Sequence, residues 1–202
     1  MATPTTADPS FTIRPARAAD IDFLARVDLE VDSESGETYH LEWNPEQRAA
    51  HRERIAGFVH GDDGIARIAE STASGPRDRR IGMLLASVRD LETEPPTKFT
   101  RMFTQQLWPA LPPGWEPNRG RFIEMFQLWV DPGRRRRGIA SSLKSQLDQA
   151  ARDGGVSLLY THTRATNTHV VTLNEKLGYT AFRTGPLWDD VARVSLAKHL
   201  PP

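Results

Sequence analysis

The sequence predicts a mixed α/β fold, a central sheet carrying helices on both faces. Two observations point to it. In the second half, apolar strand segments alternate with helical stripes, and strand–helix–strand order implies right-handed parallel crossovers. In the first half and at the end, paired strand segments separated by turn residues read as antiparallel hairpins. The length of 202 residues suits a single domain, and no repeat or low-complexity block divides it.

Residues 1–10 carry Pro4, Pro9 and no apolar pattern, so a flexible tail is expected ahead of one domain over 11–202. Residues 11–17 read as a short strand. A helix opening at Ala19 or Asp20 then places Ile21, Leu24, Val27 and Val31 on one face. After the polar break DSESGETYH, a second helix fits 45–59, with Pro45 in its first turn and Gly61 past its end. Strands over 64–71 and 80–88 follow, joined by the turn-rich SGPRD. Residues 91–121 hold six Pro but also Phe99, Phe103, Trp108 and Trp115. That is too apolar for a linker, so an inserted excursion with a short helix over 99–107 is expected.

Residues 122–130, FIEMFQLWV, are nearly continuous in apolar side chains, as a strand covered on both faces should be. After DPGRRRRG, a helical stripe of Ile139, Leu143, Leu147 and Ala150 runs to Gly154-Gly155. A buried strand over 156–161, a helix over 167–177 closed by Gly178, and strands over 179–183 and 191–197 complete the chain.

Composition narrows the function. Lys+Arg and Asp+Glu both number 26, and zero net charge argues against a dedicated nucleic-acid or membrane-surface protein. The absence of Cys excludes a disulfide framework and a Cys-based zinc site. No run approaches the roughly 18 apolar residues of a membrane span, and MATPTTADPS lacks the marks of a secretory signal. A cytoplasmic protein without metal, membrane or nucleic-acid partners is expected.

The most informative segment is 130–140. A buried strand ends at Val130, Pro132 breaks it, and a helix begins near Gly138. Free N–H groups and the macrodipole at a helix start receive anions. Gly138 and Ala140 leave room for a phosphate to approach, and four consecutive Arg add positive charge. Read alone, RRRR is equally a solvated run or a nucleic-acid patch; its place between buried strand and amphipathic helix favours the anion turn.

Arg135-Arg136-Arg137-Gly138-Ile139-Ala140 matches the Gln/Arg-x-x-Gly-x-Gly/Ala motif of the GNAT superfamily of N-acetyltransferases, which the chain resembles. The preceding V-x-P, the strand VSLLYTHT, Asn167 and the NEKLGY segment at 174–179 fall in family order, and Arg80-Ile81-Gly82 looks like the start of the family's third strand. The resemblance implies a mainly antiparallel sheet with one splayed parallel strand pair, and acetyl-CoA as co-substrate. It assigns Arg135, Arg136, Arg137, Gly138, Ile139, Ala140 and Ser141 to the pyrophosphate, and Leu128, Val130 and Asn167 to the pantetheine arm and thioester. A plain helix N-cap is the other reading of Asn167.

Acetyl transfer to an amine needs a base to take a proton, and backbone N–H donors for the developing oxyanion. Glu124 is the candidate base. It is the only ionisable residue in FIEMFQLWV, burial there would raise its pKa, and it looks like the catalytic Glu of the histone-acetyltransferase branch. A solvated or Arg-paired Glu is the alternative. Many relatives carry a Tyr general acid where this chain has Asn174, which can hydrogen-bond the sulfur or pantetheine but cannot supply a proton. Tyr160 and His162 are the substitutes to weigh. Tyr39, His40, Trp43, Trp108 and Trp115 are candidates to line an acceptor site, with Asp32, Glu34 and Glu37 to attract a cationic amine; packing and a solvated loop are the plainer readings.

The expected function is an N-acetyltransferase moving the acetyl group directly to a primary amine of a small molecule, peptide or protein, since no Cys is present for a covalent relay. The alternatives are an inactive CoA-binding sensor, motivated by Asn174, and a nucleic-acid binder using Arg134 to Arg137, which zero net charge disfavours. Dimers are common among proteins similar to it, so a homodimer fits the reading.

Overall fold

The computed structural model describes residues 10–34, 39–73 and 79–200, with the side chains of 32–34 and 39 left aside. Residues 1–9 of the expected 1–10 tail, the SGPRD connection, and the side chains of Asp32, Glu34, Glu37 and Tyr39 lie outside the described residues.

Among the described residues, seven strands form one sheet: β1 (Phe11–Pro15), β2 (Gly64–Ser71), β3 (Arg80–Asp90), β4 (Arg121–Val130), β5 (Leu158–Arg164), β6 (Thr180–Gly185) and β7 (Arg193–His199), in the order β1-β2-β3-β4-β5-β7-β6. The sheet is mostly antiparallel. The exception is β4 with β5, parallel, with Ile123 opposite Leu159 and Glu124 opposite Tyr160. Pairing over two residues of a ten-residue strand is the splay that the resemblance implied.

The helices are α1 (Ile21–Glu34), α2 (Pro45–His60), α3 (Lys98–Met102), α4 (Ile139–Asp153) and α5 (Thr168–Lys176). Asn44 caps α2 by accepting the Gln47 amide at 2.8 Å, and Pro45 sits where its missing N–H costs nothing. None of the helices is long and apolar enough to cross a membrane, among the described residues.

Element ends move where side chains intervene. β5 opens at Leu158 rather than 156 because the Val156 amide still bonds the Ala151 carbonyl, closing α4. β7 opens at Arg193 rather than 191 because Asp189 accepts the Val191 amide at 3.0 Å and pairs with Arg193. The short helix expected over 99–107 is two pieces, α3 and a π turn over Phe103–Leu107; a 3₁₀ turn over Trp108–Ala110 follows, where Pro109 has no amide to give.

Two compact units divide the chain. The first comprises Met1–Ser87 with Phe126–Gln146. Its core joins Phe23, Leu24 and Val27 of α1 to Ile55 of α2 and to Ala66, Ile68, Met83 and Leu85 of the sheet. Gly82 is required here: a Cβ on it would stand 3.0 Å from Ile139 Cγ2 and 3.3 Å from the Trp129 carbonyl, so only glycine lets the start of α4 close onto β3. The second unit comprises Val88–Met125 with Leu147–Pro202. Phe103 stacks on Phe122 at 4.0 Å between ring centroids and meets Tyr160 edge-on, with Met102, Leu107, Leu158, Leu187 and Ala197 around them. The 91–121 excursion therefore supplies part of this core.

Candidate functional site

In the first unit, the turn after β4 is built by short bonds. Asp131 anchors it through its amide to the Ile81 carbonyl at 3.0 Å, and its carboxylate accepts the Gly133 amide at 2.8 Å. Arg135 folds back, its Nε donating to the Val130 carbonyl at 3.1 Å. Arg136 and Gly138 both have positive φ, 64° and 79°. For Arg136 that is a strained conformation, on the order of 1–3 kcal/mol, of the kind found where a backbone is shaped for a ligand.

The first helical bond of α4 runs from the Ser142 amide to the Gly138 carbonyl at 2.9 Å. The Ile139, Ala140 and Ser141 amides before it have no acceptor within the helix. Arg135, Arg136, Arg137 and Gly138 are exposed, Ile139 is buried, and no atom lies within 4 Å of the position a Gly138 Cβ would take. An anion can therefore reach the helix start from the open side, aided by the dipole.

Before the turn, Leu128 donates its amide to Gln127 Oε1 at 3.2 Å, and Val130 spends its carbonyl on Arg135. Gln127 also gives its Nε2 to Asp28 Oδ1 at 3.1 Å. Asp28 in turn meets buried His51 at 3.0 Å and Arg54 at 3.4 Å. The Trp43 ring lies between those of His51 and His40.

In the second unit, the Glu124 side chain is 13% exposed and faces two charged partners. Its Oε2 lies 3.7 Å from Arg89 Nε, while Arg89 Nη2 is held by Glu94 Oε2 at 2.7 Å. Burial pushes the Glu124 carboxyl up to about 7; Arg89 opposes the rise and Glu94 adds to it. Glu124 is thus buried and poised near neutrality, with an Arg beside it.

Asn167 occupies the N-cap of α5, yet its side chain makes no capping bond. Its Oδ1 is buried without a partner. Asn174 is buried and donates its Nδ2 to the Val170 carbonyl of its own helix at 2.8 Å. Neither substitute acid is well placed. Burial drives the Tyr160 hydroxyl well above its ordinary range. Burial first, then Arg193, lowers His162 to about 4 against the pull of Asp189, so the imidazole is neutral at pH 7. Trp188 covers that ring edge-on at 4.9 Å. Trp108 packs against the second core, and Trp115 packs there too while stacking on His199.

Reasoning from the sequence missed Arg89, Glu94 and the Asp28–His51–Gln127 cluster. A signal existed for part of it. Asp28 adjoins Val27 on the apolar face of α1, and Gln127 is the other polar residue in FIEMFQLWV. Among the described residues no group of three or more His, Asp or Glu is placed to hold a metal ion.

An amide-lined turn for an anion and a buried carboxyl poised near neutrality are parts suited to a transferase that handles a phosphate-bearing donor. Residues 28–179, well over half of the chain, match the acetyltransferase (GNAT) family, and the chain belongs to it. No curated protein is similar to it in sequence. Its fold is similar to that of Arabidopsis thaliana NAA60 in complex with acetyl-CoA, with a TM-score of 0.70 at 14% identity, covering 95% of this chain and 99% of that one. The ribosomal-protein-S18-alanine N-acetyltransferase from Escherichia coli aligns with a TM-score of 0.59 at 14% identity, covering 95% of each chain. The structure of yncA from Salmonella typhimurium with its cofactor acetyl-CoA aligns with a TM-score of 0.61 at 16% identity, again over 95% of each chain. At these identities the likeness is one of fold.

Proposed function

We propose that the protein moves the acetyl group of acetyl-CoA directly to a primary amine of a small molecule, peptide or protein, with residues 11–202 acting as a single acetyltransferase domain. The observation that carries this reading is the Glu124 carboxyl, buried on β4 and raised to about 7, where a general base works best at neutral pH. Family membership supports acetyl-CoA as co-substrate, and the likeness in fold to N-acetyltransferases supports an amine acceptor.

The residues fit the co-substrate. The open face at Gly138 suits a pyrophosphate, and the partnerless, buried Asn167 Oδ1 suits an amide donor such as pantetheine carries. Acetyl-CoA supplies the acetyl group activated as a thioester. The amides of Arg135–Ser141 hold its pyrophosphate, and Leu128, Val130 and Asn167 hold the pantetheine and thioester carbonyl. For Leu128 this requires Gln127 Oε1 to release its amide. Asn174 serves as a hydrogen-bonding side chain, not an acid.

Glu124 takes one proton from the acceptor ammonium, and the neutral nitrogen forms the new C–N bond as the C–S bond breaks. The nitrogen's second proton passes to the departing thiolate through water, so no enzyme acid is needed. Glu124 then returns its proton to solvent. A well-placed base contributes about 10²–10⁴-fold.

The test is release of coenzyme A thiol from acetyl-CoA with pooled amine acceptors, read by a thiol-reactive dye. The chain has no Cys, so it adds no background. Acceptor-dependent release that collapses in Glu124→Gln is expected. Acetyl-CoA binding without release from any pool would replace this reading with a CoA-binding module.

A further inference from the structure

The 91–121 excursion reaches the candidate base through one side chain. Glu94 lies at its start, fixed by its Oε1 accepting the Asp90 amide at 2.8 Å and by its own amide bonding the Asp90 carbonyl at 2.8 Å. Its other oxygen holds Arg89 Nη2 at 2.7 Å. Phe99, on α3, lies under the same guanidinium, 5.0 Å from ring centroid to Arg89 Cζ. Phe99 itself is wedged among Phe103, Phe122 and Tyr160 at 6.1–6.3 Å. Arg89 is thus held from two sides. What remains for Glu124 is the Arg89 Nε, buried without a hydrogen-bond partner and 3.7 Å from Glu124 Oε2, beyond hydrogen-bond reach.

We propose that Glu94 and Phe99 are positioning residues that hold the Arg89 guanidinium beside the Glu124 carboxylate but off it, so that Glu124 stays free to take a proton. The inference rests on Glu124 being the base. The charged and titratable groups facing Glu124 are Arg89 from β3, Glu94 from the excursion and Tyr160 from β5. At 3.7 Å Arg89 already pulls the Glu124 carboxyl down, and a guanidinium free to close to hydrogen-bond distance would lower it further. That would leave a carboxylate too weakly basic to compete for the amine's proton. Glu94 prevents it by offering the guanidinium a closer partner, and Phe99 by favouring the cation over its ring face.

The test is a ¹³C NMR titration of protein labelled at the Glu side-chain carboxyl, with the Glu124 signal assigned by its loss in Glu124→Gln. Glu94→Gln is expected to lower the Glu124 midpoint by about one pH unit or more, and Arg89→Met to raise it. Because Glu94 carries charge of its own, the deciding measurement is the double variant. In the Arg89→Met background, Glu94→Gln should move the midpoint much less than it does alone. An unmoved midpoint in Glu94→Gln, or an equal shift in both backgrounds, overturns the clamp. Phe99→Leu keeps Glu94 in place and should lower the midpoint in the same direction; no shift there removes Phe99 from the role. Failure of Glu124 as the base would show elsewhere, as full turnover in Glu124→Gln, and would leave these titrations unchanged.

Discussion

Asp28 Oδ2 lies 3.0 Å from His51 Nε2, both side chains almost wholly out of water, which ties α1 to α2 inside the first core. The other oxygen of Asp28 accepts from Gln127 on β4, so one buried carboxylate joins two helices and a strand. Polar groups in such a place stabilise only while every one is satisfied. Asp28→Ala strands His51 and the Gln127 amide together and should cost about 3–5 kcal/mol in urea unfolding. Asp28→Asn keeps an acceptor and should cost less.

The raised Glu124 carboxyl makes stability depend on pH in a set direction. Its folded value is about 7 against an unfolded value near 4.5, so the folded state holds a proton that the unfolded state gives up between those values. The stabilisation is complete below the unfolded value and is lost as pH rises through about 7. Glu124→Gln should remove that dependence. It should be more stable than the parent at pH 8 by about 2–3 kcal/mol and indistinguishable at pH 4, as read by denaturant midpoints.

Gly138→Val should weaken acetyl-CoA binding at least about tenfold, the equivalent of ~1.4 kcal/mol, measured by titration calorimetry. A Cβ there would meet nothing within 4 Å, so the loss would arise from strain at φ 79° and from blocking the approach to the α4 amides.

Asn167→Ala separates a cap from a ligand contact. Loss of a working N-cap costs about 1 kcal/mol, whereas this side chain makes no capping bond. The variant should therefore unfold at the parent's denaturant midpoint while its KM for acetyl-CoA rises. A lower midpoint with unchanged KM would return Asn167 to the role of a cap.

Most of the architecture was legible in the residues. Strand and helix periods are set by neighbours two to four places apart, so the FIEMFQLWV strand, the α4 stripe and the turn between them follow from local pattern. The same reading singled out Glu124, because one ionisable residue in an apolar strand is a local fact. The family resemblance, not local pattern, marked Asn174 as a residue without a proton to give. Local pattern placed the short helix of the excursion but not its break into α and π turns or the 3₁₀ turn after it, which depend on Pro109 and on packing under Phe122 and Tyr160.

The fold sets the company each residue keeps. Glu124 stands in register with Tyr160, 36 positions along the chain, and within reach of Arg89, 35 positions before it; neither follows from a period of 2 or 3.6. Asp28 finds Gln127 across 99 positions. Such meetings are fixed by sheet order and by which loops close, and burial then turns them into shifted proton affinities. Residue identity alone says which positions can carry charge and chemistry; their protonation and their partners come from the fold, because desolvation and Coulomb interaction depend on distance through space rather than along the chain.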